Sequence, residues 1–325
     1  MTPEIAKLGH VALVTPDLAA SQWFFRDIVG LEQTDEQDDT IFVRAWGDNE
    51  HHSLTLTAGP QAVVDHIGWR TKRPEHVDAF ARALESQGVE VTHVAPDEEP
   101  GQGRAVRFRL PFGSHPFELY YDIERPGAQQ DRKSRMLSNV RSWDHTISPR
   151  RLDHVNVHTD NAGLTERWLE QTLGFKIREY VRDEDTVLAT FMAVTSLSHD
   201  IAVFTDLEGR ANRFHHLAYY LDNWQDVLRA MDILAEHHIP IDFGPVRHGV
   251  GQAFTCYVKD PGSGHRLELC SGGYHIFDPD WEPLEWGIED LTEVVCLWGV
   301  PEWLPGTGGP MDATTACSPL APQPA

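Results

Sequence analysis

The chain is short of positive charge: 27 Lys and Arg stand against 50 Asp and Glu in 325 residues, a formal net charge of −23. Nucleic acids and anionic membrane surfaces are bound through basic patches, so neither is expected as a partner. Cysteine is scarce too. Cys256, Cys270, Cys296 and Cys317 form no CxxC pair and no zinc-finger spacing, which argues against a metal knuckle or a disulfide framework. No apolar run approaches the ~18 residues of a membrane span, and the start MTPEIAKLGH has no signal-peptide core. A reducing cytoplasm is the expected compartment.

What is present is a 41% hydrophobic, 24% charged chain long enough for about two domains, and it repeats itself. KLGHVALVT around His10 returns as RLDHVNVHT around His154, and each histidine is followed 20 residues later by a glycine, Gly30 and Gly174. Between lie amphipathic stretches with an Asp or Asn start, DLAASQWFFRDIVG and NAGLTERWLEQTLG, which read as helices stopped by glycine. Further on, VVDHIGWR carries His66 and RFHHLAYYL carries His216. The distance from His66 to Glu118 is 52 residues, and from His216 to Glu268 it is again 52.

Each half therefore contains two modules of strand, helix and further strands joined by short turns such as DPGSG. The expectation is an α+β fold of four βαβββ modules in two domains, each pair of modules forming a cupped mixed-sheet barrel with helices outside. The boundaries drawn are an N-terminal domain over 1–130, a polar linker over 131–149 and a C-terminal domain over 150–275. A Trp-rich extension over 276–310 reads as a lid or contact segment, and a tail over 311–325 of small residues and Pro is expected to be disordered.

Strand alternation puts His154 on one face with Asn156, and Val155 and Val157 on the other. In FHHLAYYL it separates His216 from His215, and in RLELC it sets Glu268 apart from Leu267 and Leu269. Two imidazoles and a carboxylate converging in a cup can hold an octahedral ferrous ion with one face open, although zinc hydrolases use the same ligand types.

RLDHVNV, HHLAYYL, GPVRHG, YVKDPGSGHRLEL and SLSHDIAV together resemble the type I extradiol catechol dioxygenases of the vicinal oxygen chelate superfamily, over nearly the whole chain. The resemblance implies that His154, His216 and Glu268 bind Fe(II), with Mn(II) as the other possibility. It gives His199 the acid and base role beside dioxygen, and gives His248 and Tyr257 hydrogen bonds to the ring oxygens of a catechol. It implies extradiol cleavage to a 2-hydroxymuconic semialdehyde, the reaction of a catechol 2,3-dioxygenase, and a homo-oligomer, commonly a tetramer. Two other members of the superfamily compete. A protein that sequesters an aromatic compound should lose the metal set or the acid/base histidine, and a glyoxalase-type lyase should lack RHG and the tyrosine.

The first half also carries His10, His66 and Glu118, so ligand types do not choose between the halves. Aligning RFRLPFGSHPFELY on YVKDPGSGHRLELC puts Arg107 at the position of Tyr257 and Glu98 at that of His248, while His52 stands roughly where His199 does. A cation beside the metal opposes its binding, so catalysis is expected in the second half. Relatives that act on carboxylate-bearing catechols resemble one another in an arginine just ahead of GPVRHG, where this chain has Phe243. An uncharged catechol is expected, with Phe191 and Trp298 as candidate pocket walls.

Overall fold

The computed structural model describes residues 2–125, 145–206, 208–299 and 315–318. The first module is β1 (Ile5–Thr15), α1 (Leu18–Gln22), β2 (Glu32–Gln37), β3 (Thr40–Arg44) and β4 (Leu54–Ala58); the second is β5 (Val63–Thr71), α2 (Pro74–Ser86), β6 (Val91–Val94), β7 (Ala105–Arg109) and β8 (Pro116–Tyr120). The third is β9 (Arg151–Thr159), α3 (Ala162–Trp168), β10 (Lys176–Asp183), β11 (Thr186–Ala193) and β12 (Ile201–Thr205). The fourth is β13 (Arg213–Tyr220), α4 (Trp224–Glu236), β14 (Ile241–Arg247), β15 (Ala253–Lys259) and β16 (Arg266–Gly272).

Every module has the order βαβββ. In each, the last strand returns parallel to the first: β4 on β1, β8 on β5, β12 on β9 and β16 on β13. The first strands of paired modules run antiparallel, β1 with β5 and β9 with β13, so each half is one mixed sheet curved into a cup.

The helix ends follow local chemistry. Asp17, Asn161 and Asn223 cap α1, α3 and α4 through side-chain oxygens that accept from Ala20 N, Leu164 N and Asp226 N. Gly174 closes the third module's helical segment at φ 77°. α2 buries Val77, Phe80, Ala81 and Leu84, and α4 buries Val227, Ala230, Ile233 and Leu234, the one-sided spacing of a helix on a sheet. Each fully buried Phe or Leu there contributes about 1.5–3 kcal/mol. The opposite sheet face is left to line the cups.

Beyond the modules come β17 (Leu284–Gly287), which extends the sheet parallel to β10, a 3₁₀ turn over Ile288–Asp290 and α5 (Leu291–Val295). The final strand, β18 (Thr315–Cys317), pairs with β13 of the second half and β5 of the first. This corrects the expectation of a disordered tail over 311–325 for residues 315–318. Thr315 and Cys317 are buried, and Thr315 Oγ1 lies 3.0 Å from His265 Nδ1. Pairing outweighed the low-complexity composition. The rest of that tail, and residues 131–144 of the expected linker, lie outside the described residues.

Candidate metal centre and substrate cavity

β9, β13 and β16 are neighbours in the second cup, and each contributes one polar side chain to its floor. The register sets Asn156 opposite His216 and Ala218 opposite Glu268. His154 Nε2 is 3.2 Å from His216 Nε2 and 3.1 Å from Glu268 Oε2, and His216 Nε2 is 2.9 Å from the same oxygen. All three side chains are buried. Behind them Val155, Val157, Leu267 and Leu269 are fully buried in the core.

The partners of these groups leave the right atoms facing inward. Asp153 accepts from His154 Nδ1 at 2.8 Å, which fixes a proton there and turns Nε2 toward the centre. His215 Nδ1 sits 2.6 Å from His216 Nδ1. Thr255 Oγ1 donates to Glu268 Oε1 at 2.6 Å, so the carboxylate keeps Oε2 for the centre. Two imidazole nitrogens and one carboxylate oxygen, all within 4.8 Å of one another, fit a divalent transition ion of intermediate hardness. Asp153, His154 and Cys270 also lie close together, but the Cys270 thiol donates to Tyr219 O and its pKa is pushed well up by burial and by Asp153.

Electrostatics favour positive charge at this point. Burial opposes ionisation of Glu268, yet His154 and His216 hold its pKa well below the usual carboxylate range. Burial likewise opposes protonation of His154, but Glu268 and the Asp153 hydrogen bond raise it to about 9. Burial keeps His199 and His248 neutral by lowering both, with the His154 charge adding to the effect at His199. Burial and the Glu268 charge raise Tyr257 well above its ordinary value, so its hydroxyl keeps its proton.

Over the set lies a cavity of about 400 Å³, within the range of small-molecule sites. His199 and His154 have ring centroids 4.2 Å apart. Tyr257, opposite Glu268 in the β15–β16 register, has its hydroxyl 2.8 Å from His248 Nε2, while His248 Nδ1 donates to Val295 O at 2.6 Å. The remaining wall is mostly apolar, with Val181, Leu188, Phe191, Phe204 and Phe243 beside Asn156, Asp183 and Thr205, and Ile288, Leu291 and Val294 of the C-terminal extension complete it.

Residues 151–269 match the Glyoxalase/Bleomycin resistance protein/Dioxygenase superfamily, and residues 64–124 match the catechol 2,3-dioxygenase-like N-terminal domain. The chain is 59% identical to a manganese-dependent 2,3-dihydroxybiphenyl 1,2-dioxygenase of Geobacillus genomosp. 3, over 98% of this chain and 100% of that one. It is 34% identical to a metapyrocatechase of Geobacillus stearothermophilus, over 94% of each. Its structure superposes on homoprotocatechuate 2,3-dioxygenase of Brevibacterium fuscum in complex with 3,4-dihydroxyphenylacetate, with TM-score 0.83 and 28% identity over 92% of this chain and 90% of that one. The chain belongs to the extradiol dioxygenases of the vicinal oxygen chelate superfamily.

The first half of the dioxygenase repeats the floor in the same register: Ala12 opposes His66, Gly68 opposes Glu118, and Arg107 opposes Glu118 where Tyr257 opposes Glu268. His10 Nε2 and His66 Nε2 are 2.9 Å apart, and His52 stands with its ring centroid 4.9 Å from that of His10. The difference is in the carboxylate. Glu118 accepts from Gln102 Nε2 at 2.7 Å on one oxygen and from Arg107 Nε at 2.6 Å on the other. Arg107 also pairs with Glu99, whose carboxylate lies 3.1 Å from His66 Nε2. Burial and Arg107 oppose protonation of His66, but Glu99, Glu118 and Asp65 overcome them and lift it to about 10.

Three expectations need correction. The expectation set Glu98 at the position of His248, but it is Glu99, one residue on, that pairs with Arg107 as His248 pairs with Tyr257, while Glu98 also lines the first-half cavity; counting through the loop before β7 does not fix the phase. His215 does not face away from the dioxygenase cavity but lines it, because the β9–β13 pairing shifts register between Phe214 and His216. Trp298 is not part of the wall. It is 60% exposed and packs on Phe254, whereas Phe191 does line the cavity. Asp153, Thr255, Gln102 and Val295 were not singled out from sequence. Asp153 had a readable signal, an acid directly before His154 as Asp65 is before His66.

Proposed function

We propose that the protein opens catechols carrying an uncharged, ring-sized substituent, such as 2,3-dihydroxybiphenyl, at a manganese or iron ion held by His154, His216 and Glu268. The observation that carries the reading is the mostly apolar wall of a cavity larger than one ring needs, with Phe243 and, among the described residues, no Lys or Arg on it. The 59% relative named for 2,3-dihydroxybiphenyl and manganese supports both the substrate and placing manganese first. The donor set itself suits either ion.

When bound, the ion would lower the pKa of the diol and would hold diol and dioxygen side by side. The protein's own groups handle protons and orientation. His199, neutral and beside His154, accepts a proton from the diol and returns it as the ring opens. His248 carries its proton on Nδ1, toward Val295 O, so its Nε2 is an acceptor for Tyr257 or for a substrate hydroxyl. Tyr257 is the donor to a ring oxygen. Both oxygen atoms of O₂ enter the product as the bond beside the diol breaks. The first-half set has no catalytic part in this scheme, because Arg107 and Gln102 hold both oxygens of Glu118.

The test is steady-state oxygen uptake and formation of a yellow ring-cleavage product, with protein loaded anaerobically with Mn(II) or Fe(II). Catechol, 2,3-dihydroxybiphenyl and 3,4-dihydroxyphenylacetate are compared. The expected order of kcat/KM is dihydroxybiphenyl, then catechol, then dihydroxyphenylacetate. Preference for the carboxylate-bearing diol would overturn the reading.

A further inference from the structure

Glu179 lies on β10, is 1% exposed, and is not among the described residues that wall the cavity. Its carboxylate gathers three neutral donors from segments far apart in sequence. Gly251 N donates to Oε1 at 2.7 Å, the Tyr274 hydroxyl donates to the same oxygen, and Trp286 Nε1 donates to Oε2 at 2.7 Å. A buried carboxylate with three hydrogen bonds is a strong fixed point inside a protein, and the loss of any one donor leaves a buried acceptor short.

Two of the three segments, those of Gly251 and Trp286, lead to the cavity. Gly251 ends the turn that begins at His248, and its φ of +62° lets the turn fold back onto the His199 segment, where a Cβ would meet Ser198 Oγ at 3.0 Å. Trp286 is on β17, the strand that leads into Ile288, Leu291 and Val294 on the outer wall of the cavity. The same extension holds the His248 turn directly: Val295 O accepts from His248 Nδ1, and Gly249 N donates to Glu293 O at 3.0 Å. The extension and the His248 turn are thus tied together at two places, at their backbones and at Glu179.

We propose that Glu179 is a positioning residue for His248: it locks the C-terminal extension to the His248 turn, so that closing the outer wall and aiming His248 Nε2 at Tyr257 and the diol are one event. The inference rests on the role given to His248 above. A shift of His248 by about 1 Å is enough to cost ~100-fold in rate, although Glu179 itself touches no reactant.

The test is a double-mutant cycle on the full-length, metal-loaded protein with 2,3-dihydroxybiphenyl and catechol as probes. Glu179→Gln keeps the shape but turns an NH₂ toward one of the donors, and Trp286→Phe removes a single donor while keeping a ring. Each should lower kcat/KM by about tenfold or more in the wild-type background, with bound metal per chain unchanged. In a His248→Ala background each should cost less than about twofold, since the group they position is gone. An equal loss in both backgrounds, or no loss in the wild type, overturns the inference. If His248→Ala alone turns over normally, the role of His248 fails instead, which is a separate result. Should Glu179→Gln not fold, Trp286→Phe decides.

Discussion

The two halves share a backbone register residue for residue at the floor of each cup, and both set two imidazoles beside a glutamate. They differ in what holds that glutamate. Glu268 gives one oxygen to the Thr255 hydroxyl and turns the other toward His154 and His216, whereas both oxygens of Glu118 are held by Gln102 and Arg107. The walls diverge in the same sense. The first-half cavity, about 370 Å³, is lined by Gln37, Asp38, Thr40, Thr57 and Glu98, while the second, about 400 Å³, presents Val181, Leu188, Phe191 and Phe204. Near-equal space and equal ligand types therefore do not make equal sites. A metal needs a carboxylate oxygen that no protein cation has already claimed, and an aromatic substrate needs an apolar wall.

The sharpest way to break the comparison is to remove one histidine from each cup. His216→Ala should lose bound metal and lower kcat/KM by more than about a thousandfold, whereas His66→Ala should keep metal and turnover within about threefold of wild type. Metal analysis beside oxygen-uptake kinetics checks both, and comparable losses would make the first cup a working site. Carrying the first-half residue across is the next largest change. Tyr257→Arg puts a guanidinium opposite Glu268 and should weaken metal affinity by about 10- to 100-fold, read by competition with a chelator. The reverse, Arg107→Tyr, leaves Glu99 and Glu118 buried without their cation. It should destabilise the fold toward the lower end of about 3–5 kcal/mol in chemical denaturation, because Arg107 is itself partly exposed, with catalysis in the second cup intact.

Much of this was legible before any coordinates. The four modules followed from the paired spacings and helix caps, and the shared inward face of His154, His216 and Glu268 from strand alternation, while their reading as a ligand set came from the resemblance. Alternation broke down where pairing is not regular. The register shift after Phe214 turned His215 inward, and across the loop before β7 Glu99 rather than Glu98 took the place beside Arg107 that His248 has beside Tyr257. Trp298 was misread because composition shows that an aromatic must pack but not against what; it packs on Phe254 at the surface. Val295 had no signal at all, since its contribution to His248 is a backbone carbonyl. Thr315–Cys317 looked like part of a tail because strand pairing with β5 and β13 is a long-range fact.

The smallest expected effect concerns a feature in which the halves agree. Three residues before each glutamate stands a buried histidine that reaches across to the other half: His115 Nε2 donates to Arg213 O at 3.0 Å, and His265 Nε2 donates to Val14 O at 3.1 Å. Burial lowers both, His115 to about 4. A depressed histidine contributes stability that is fully present above the unfolded value near 6.5 and is lost as pH falls toward about 4, because only the unfolded chain takes up the proton in that window. His115→Gln keeps an N–H for Arg213 O and removes the titration. Its denaturation midpoint should match wild type within a small offset at pH 7.5 and should fall less steeply below pH 6.5, by up to about 1.4 kcal/mol per pH unit. Parallel curves would mean that His115 takes up its proton in the folded protein, and that this cross-half contact is too loose to exclude water.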